Sequence, residues 1–82
     1  MHYVYVLYSH KLQKRCIDYT GNLKERFMQH QSGKVPFSKK GRPWRLVYYQ
    51  AFNNSVDAKI EEKFLKSGKG RERLGYILKN SI

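Results

Sequence analysis

The sequence predicts an α+β domain: a small three-stranded antiparallel sheet flanked by helices, in the order β-β-α-β-α-α. Three observations predict it. A β-branched and aromatic run, Tyr3-Val4-Tyr5-Val6-Leu7-Tyr8, lies near the start of the chain, and two further runs of strand-forming residues follow at 15–19 and 44–52. Between and after them, apolar residues recur at helical spacing. The length of 82 residues leaves room for one hydrophobic core, so residues 1–82 are read as one domain.

The first run is apolar on both faces, which suits a central strand. Ser9 to Gln13 is a polar link, and Arg15-Cys16-Ile17-Asp18-Tyr19 forms a second, weaker strand; so short a link makes the pair a hairpin. Thr20-Gly21-Asn22 breaks the strand and offers helix caps. A helix from about Leu23 to Gln31 follows, with Leu23 and Phe27 four apart as its apolar stripe. Ser32-Gly33 ends it, and Lys34 to Pro43 reads as a basic loop. Trp44 to Phe52 is the third strand. Asn53-Asn54-Ser55 is a turn with Ser55 as N-cap of a helix to about Lys66, whose apolar positions Val56, Ile60 and Phe64 recur every four residues. Ser67-Gly68-Lys69-Gly70 reads as a turn, and a last helix from about Arg71 to Lys79 carries Leu74, Ile77 and Leu78. Asn80 is read as a surface residue.

Composition narrows the function. Hydrophobic residues make up 40% and aromatics 15%, which is too many for a disordered tail. One cysteine permits no intramolecular disulfide, so the fold must rely on packing, as suits a reducing interior. No apolar run approaches the ~20 residues of a membrane span. The first residues have no basic leader and no small-residue cleavage site, so a cytoplasmic address is expected. Seventeen Lys and Arg against six Asp and Glu give a net charge of +11. That excess attracts polyanions, nucleic acid first among them. A membrane surface is disfavoured, because no segment is both cationic and strongly amphipathic. The cations are bunched. Arg26, Lys34, Lys39, Lys40, Arg42 and Arg45 follow one another with no acid between, and Lys63, Lys66, Lys69, Arg71 and Arg73 are opposed only by Glu72. Two such segments suit a groove for a phosphate backbone.

Few residues are candidates for chemistry. Arg26 and His30, four apart, share a helix face about 40° wide. Arginine there can bind a phosphate through two parallel bonds, and histidine can orient or move a proton near neutral pH. A solvated helix face is the plainer reading. Glu61 and Glu62 sit in a cationic stretch. Either carboxylate suits one Mg²⁺ or Mn²⁺, with water and a substrate phosphate as the other ligands. An ordinary i,i+4 pair of Glu62 with Lys66 is the alternative, and periodicity does not choose between the glutamates. Most of the seven tyrosines suit half-buried sheet positions; some could stack on bases, and one could act as acid or base if a cation lowers its phenol pKa from about 10. His2, His10, His30 and Cys16 lack zinc-ligand spacing. There is no phosphate-cradling glycine loop and no nucleophile elbow.

Taken together these residues resemble the GIY-YIG nuclease superfamily, in particular its small stand-alone members similar to the nuclease domain of the bacterial excinuclease incision subunit. The likeness covers essentially the whole chain. Tyr3-Val4-Tyr5-Val6-Leu7 resembles the first motif, with Tyr5 in the place of its tyrosine. Thr20 to Phe27 followed by His30 resembles the first helix, with Arg26 matching the catalytic arginine. Arg42 to Tyr49 resembles the third strand of the small members. Ala58 to Gly68 resembles the helix of the metal-binding glutamate, and this match selects Glu62 over Glu61. The second motif departs: where Tyr-Ile-Gly is expected, the chain has Cys16-Ile17-Asp18. A thiol is shorter than a phenol and a weaker donor. Asp18 brings a negative charge to a position that has none. Against a phosphodiester at ~4 Å and an effective dielectric near 20 the repulsion is of order 4 kcal/mol, less where water screens it. Asp18 could instead add a metal ligand. Tyr19 faces the opposite side of the strand and could replace Cys16 only through a register shift or bulge.

The resemblance implies one Mg²⁺ or Mn²⁺ on Glu62, charge stabilisation of the phosphodiester by Arg26, and a water activated or oriented by Tyr5 with help from His30. Lys34, Lys39, Lys40, Arg42, Lys66 and Lys69 are the expected nucleic-acid contacts. The expected function is a metal-dependent endonuclease that cuts DNA, with a preference for branched or distorted sites and with RNA as a further substrate to consider, weakened by Cys16 and Asp18. The alternative is a catalytically impaired nucleic-acid-binding module on the same scaffold. A basic accessory protein acting through protein contacts has no sequence feature of its own. Nothing in the sequence demands a dimer, and a monomer is expected.

Overall fold

In the computed structural model, which describes residues 1–81, β1 (His2–Ser9) is the middle strand of an antiparallel sheet of order β2-β1-β3. Its four central residues, Val4 to Leu7, are all fully buried, which explains why both faces of this run are apolar. β2 (Lys14–Thr20) pairs with it through the hairpin and leaves its other edge free. β3 (Trp44–Phe52) pairs on the far side, with a bulge: Val6 faces Tyr48 and Leu7 faces Leu46, so Val47 is an extra residue. The bulge lets Val47 and Tyr48 both lean on the same core cluster.

The two faces of the sheet carry different helices. Val4 and Val6 pack with Ala58, Leu65, Leu74 and Leu78 from the C-terminal helices α2 (Ser55–Lys66) and α3 (Gly68–Ile77) and the residue that follows α3. Tyr5, Leu7, Cys16 and Trp44 pack on the opposite face against Leu23 and Phe27 of α1 (Leu23–Ser32). Leu23 and Phe27 thus form the inward stripe their spacing predicted. Asn22 caps α1 by accepting from the Glu25 amide at 3.1 Å, and Gly33 closes it in the left-handed region at φ 81°.

Four details differ from the sequence reading. The basic segment after α1 is not a plain loop: Pro36–Gly41 forms a 3-10 helix, started by a proline whose missing N–H is not needed there. The cap of α2 is Asn54, accepting from the Val56 amide at 2.8 Å, so Ser55 is the first helical residue. The row Val56, Ile60 and Phe64 does not face the core; Val56 and Ile60 are 60% and 63% exposed. The inward row runs through Ala58 and Leu65, about half a turn away, because small Ala58 lets the helix lie close on β1. Finally, α3 starts at Gly68 rather than Arg71 and ends at Ile77, with Ile77 itself half exposed. Ser67 is not the middle of a turn but the cap of α3, accepting from the Gly70 amide at 3.2 Å.

Gly70 explains the sharp α2–α3 corner. A Cβ there would fall on the Phe64 carbonyl oxygen and the Leu65 Cα, both backbone atoms that cannot swing away, whereas one on Gly68 would meet nothing. Gly70→Ala is therefore expected to destabilise the fold by roughly 1–3 kcal/mol, while Gly68→Ala leaves the melting temperature unchanged or slightly raised. Thermal unfolding of the two variants side by side checks this; equal melting points would contradict the packing described. No helix among the described residues is long and apolar enough to cross a membrane.

Candidate active site

The face of β1 that meets α1 carries a buried polar chain. Tyr5 points from the middle strand, and His30 points back at it from the last turn of α1. Their hydroxyl and Nε2 are 2.8 Å apart, and both residues are fully buried. On the other side of the ring, Nδ1 lies 2.7 Å from the Ser38 hydroxyl, which donates in turn to the Val35 carbonyl at 3.3 Å. Ser38 has one proton, so its oxygen accepts from Nδ1–H. That tautomer leaves Nε2 as the acceptor for the Tyr5 proton, and no buried side-chain nitrogen or oxygen among the described residues lacks a partner. The 3-10 helix is locked in place by Trp44, whose Nε1–H donates to the Ser38 carbonyl at 2.7 Å. Gln31, beside His30, clamps the Trp44 backbone with two bonds of 2.7 Å.

Arg26, one turn before His30, stands at the mouth of this chain. Asp18 is the direct cross-strand partner of Tyr5, and its carboxylate meets the Arg26 guanidinium at 3.5 Å. Its other oxygen accepts from the Tyr19 amide at 2.8 Å. Both charges are felt at the phenol. Burial raises the Tyr5 pKa above its usual value and Asp18 raises it further, against a smaller opposing pull from Arg26. Tyr5 is therefore a neutral phenol at pH 7. Burial, reinforced by Arg26 and opposed by Asp18, lowers the His30 pKa, so the imidazole is neutral too. Cys16 faces Leu7 on the same side of the sheet and is almost fully buried. Burial and Asp18 push its thiol up to about 11, so it is no thiolate. Tyr19 lies on the opposite face, packed with Ile17 against the α2–α3 core, and β2 pairs with β1 without a shift that would exchange them.

The structure thus brings Tyr5, Arg26, His30, Cys16 and Asp18 together. Glu62 comes from the other layer. Its Oε2 accepts from Lys66 at 3.0 Å, and Lys66 reaches round the free edge of β2 into a cavity it shares with Cys16, where its charge acts on the thiol. Glu62 is half buried one turn before Lys66 on α2, makes no hydrogen bond or ion pair with Tyr5, Arg26 or His30, and its Oε1 accepts no hydrogen bond from the described residues. A hard oxygen donor on a cationic surface fits one Mg²⁺ or Mn²⁺ whose other ligands are water and phosphate. No set of three His, Cys, Asp or Glu clusters among the described residues, so no protein cage competes with that arrangement.

The expected cationic contacts are dispersed. Lys34 lines a shallow cavity with the start of α1, Lys39 and Lys40 end the 3-10 helix, and Lys69 lies in the first turn of α3. Arg42 donates to the Lys39 carbonyl at 3.0 Å and lies against Gly33, so it braces the turn. Sequence reasoning missed Ser38, Gln31 and Phe37, which have no periodic signal; only their closeness in the chain to His30 could have pointed to them.

Burial of neutral His30 has a consequence for stability. Its folded pKa lies below the unfolded value near 6.5. Its contribution is therefore present above that pH and is lost as pH falls below it, because the unfolded chain takes up the proton first. Denaturant unfolding between pH 7.5 and 5 should show stability declining by at most about 1.4 kcal/mol per pH unit from this group. The decline should flatten in His30→Gln; identical slopes would contradict the burial of a neutral ring.

Comparison with known proteins identifies the family. The family model described as the GIY-YIG catalytic domain matches residues 1–74. A UPF0213 protein of Pediococcus acidilactici is 39% identical over 98% of this chain and 84% of its own length. One from Clostridium perfringens is 32% identical over 100% and 88%. The solution NMR structure of a UPF0213 protein from Bacillus halodurans superimposes with a TM-score of 0.58 at 34% identity, covering 93% of this chain and 83% of that one. The chain belongs to the GIY-YIG nuclease family, among its small UPF0213 members.

Proposed function

We propose that this protein is a metal-dependent endonuclease that hydrolyses DNA phosphodiester bonds and is slowed by its own second motif. The observation that carries the reading is the Tyr5–His30 bond of 2.8 Å with Arg26 at its mouth. A phosphate arriving at Arg26 offers two oxygens in place of the single long contact with Asp18, so it can displace the carboxylate. With Asp18 displaced, the Tyr5 oxygen faces the attacking water. The water proton passes to the phenol oxygen as the phenol proton passes to His30 Nε2, the resulting hydroxide attacks phosphorus, and the ester P–O bond breaks with its electron pair on the leaving sugar oxygen, which takes a proton from solvent. Neither Tyr5 nor His30 need be charged at rest for this relay, which matches the direction of both pKa shifts. Glu62 would hold a Mg²⁺ or Mn²⁺, which when bound would supply positive charge to the phosphate. Members of this family generally depend on a metal.

Asp18 also supports a second reading, a nucleic-acid-binding module with impaired chemistry. Its charge already engages Arg26, and buried Cys16 offers no phenol to the substrate. A cleavage assay on single-stranded, duplex and branched DNA, and on RNA, separates the two. Slow products with Mg²⁺ or Mn²⁺ that vanish with chelator support the nuclease; salt-sensitive binding without products supports the module.

A further inference from the structure

Phe37 is 68% exposed, on the outer side of the 3-10 helix whose inner side buries Ser38. Nothing in the relay uses it. Its ring stands edge-on to His30, with centroids 6.1 Å apart and planes at 85°. It also lines an open cavity of about 450 Å³ together with Cys16, Lys14, Arg15, Lys66 and Arg71. Every charged residue in that lining is a cation. The Arg15 guanidinium donates to the Arg71 carbonyl at 3.4 Å, tying β2 to α3. Beyond these two residues a second cavity of about 670 Å³ continues to Lys79, again with no acid in its lining. The result is a trough along the free edge of β2, aromatic where it meets the candidate active site and cationic away from it.

We infer that this trough takes an unpaired stretch of nucleic acid, with one base stacked on Phe37 and the neighbouring phosphates on Arg15, Arg71 and Lys79. The inference rests on the nuclease reading of the adjacent site and specifies the substrate. A lone exposed phenyl is ordinary; a phenyl beside a proton relay, at the head of a line of cations, offers a stacking face joined to a phosphate track. A duplex covers the faces of its bases with neighbouring bases, so only an unpaired base can use the ring. The cations by themselves would accept any phosphate backbone. Phe37 therefore confers the preference, and the cations confer the affinity.

Fluorescence anisotropy with a short unpaired DNA strand and a hairpin duplex of the same composition tests this. The parent should bind the unpaired strand more tightly. Phe37→Leu should weaken unpaired binding by about 5- to 100-fold and leave duplex binding unchanged, and Phe37→Trp should restore it. Arg71→Gln should weaken both ligands and lower the salt slope for the strand by about 0.7. A base analogue that loses fluorescence on stacking should be quenched by the parent and by Phe37→Trp but not by Phe37→Leu. If the parent binds neither ligand at low salt, the nuclease reading falls and this inference with it. If it binds, but Phe37→Leu alters neither ligand or both alike, the inference falls and the nuclease reading stands. Phe37→Leu is expected to keep the parent's melting temperature because the side chain is exposed.

Discussion

The paired change Cys16→Tyr and Asp18→Gly is expected to raise DNA cleavage by about 10²–10⁴, the usual worth of one positioned catalytic group. The structure gives each half a separate cause. Asp18 faces Tyr5 across the β1–β2 ladder and holds Arg26 at 3.5 Å, so its removal frees the guanidinium and opens the phenol. Cys16 shares a face with Tyr5 and a cavity with Lys66, the partner of Glu62. A phenol there would project beyond the position of the thiol it replaces, toward the phosphate. Each single change should give less than the pair, because an open site without the second phenol, or the phenol behind a carboxylate, lacks one requirement. Single-turnover cleavage with Mn²⁺ across the four proteins checks this. A double variant as slow as the parent would contradict the assignment of both positions.

Arg26→Ala and Glu62→Gln, each made in the double variant, should return cleavage to background, a loss of about 10²–10³. Arg26→Lys should not rescue it, since a point charge cannot hold two phosphate oxygens in parallel. Stability should change little in either case. In that background the Arg26–Asp18 pair is already removed, and the Glu62–Lys66 pair is a surface contact between partly exposed groups, worth ~0–1 kcal/mol. Comparing rates with melting temperatures therefore separates chemistry from folding. Full activity in both variants would place the reacting phosphate elsewhere.

The sequence carried the sheet and the residues of the Tyr5 face well, for a physical reason. Val4 to Leu7 are apolar on both sides because the strand is buried on both sides, and α1 shows its inward stripe at Leu23 and Phe27. Legibility failed where small or polar residues decide the packing. Ala58 rather than Val56, Ile60 or Phe64 faces β1, a choice that a count of large apolar side chains misses. Ser67 begins a helix where its glycines suggested a turn, because Gly70 fits against the backbone of α2. Arg26 and His30 share a face as their spacing required. That His30 is fully buried, and that Ser38 sets its tautomer, depends on a segment whose composition read only as basic. The convergence of Asp18 on Arg26 depends on strand register, which no local motif states.

On this reading Glu62, from one layer, serves the same phosphate as Tyr5 and Arg26, from the other. Mn²⁺ broadening of backbone amide signals tests it without relying on turnover. Sub-stoichiometric Mn²⁺, with a non-cleavable DNA strand present, should broaden Cys16 to Asp18 and Arg26 together with Glu62, and Glu62→Gln should remove all of this. Broadening centred on Asp57 or Glu72, or a pattern that survives Glu62→Gln, would contradict it.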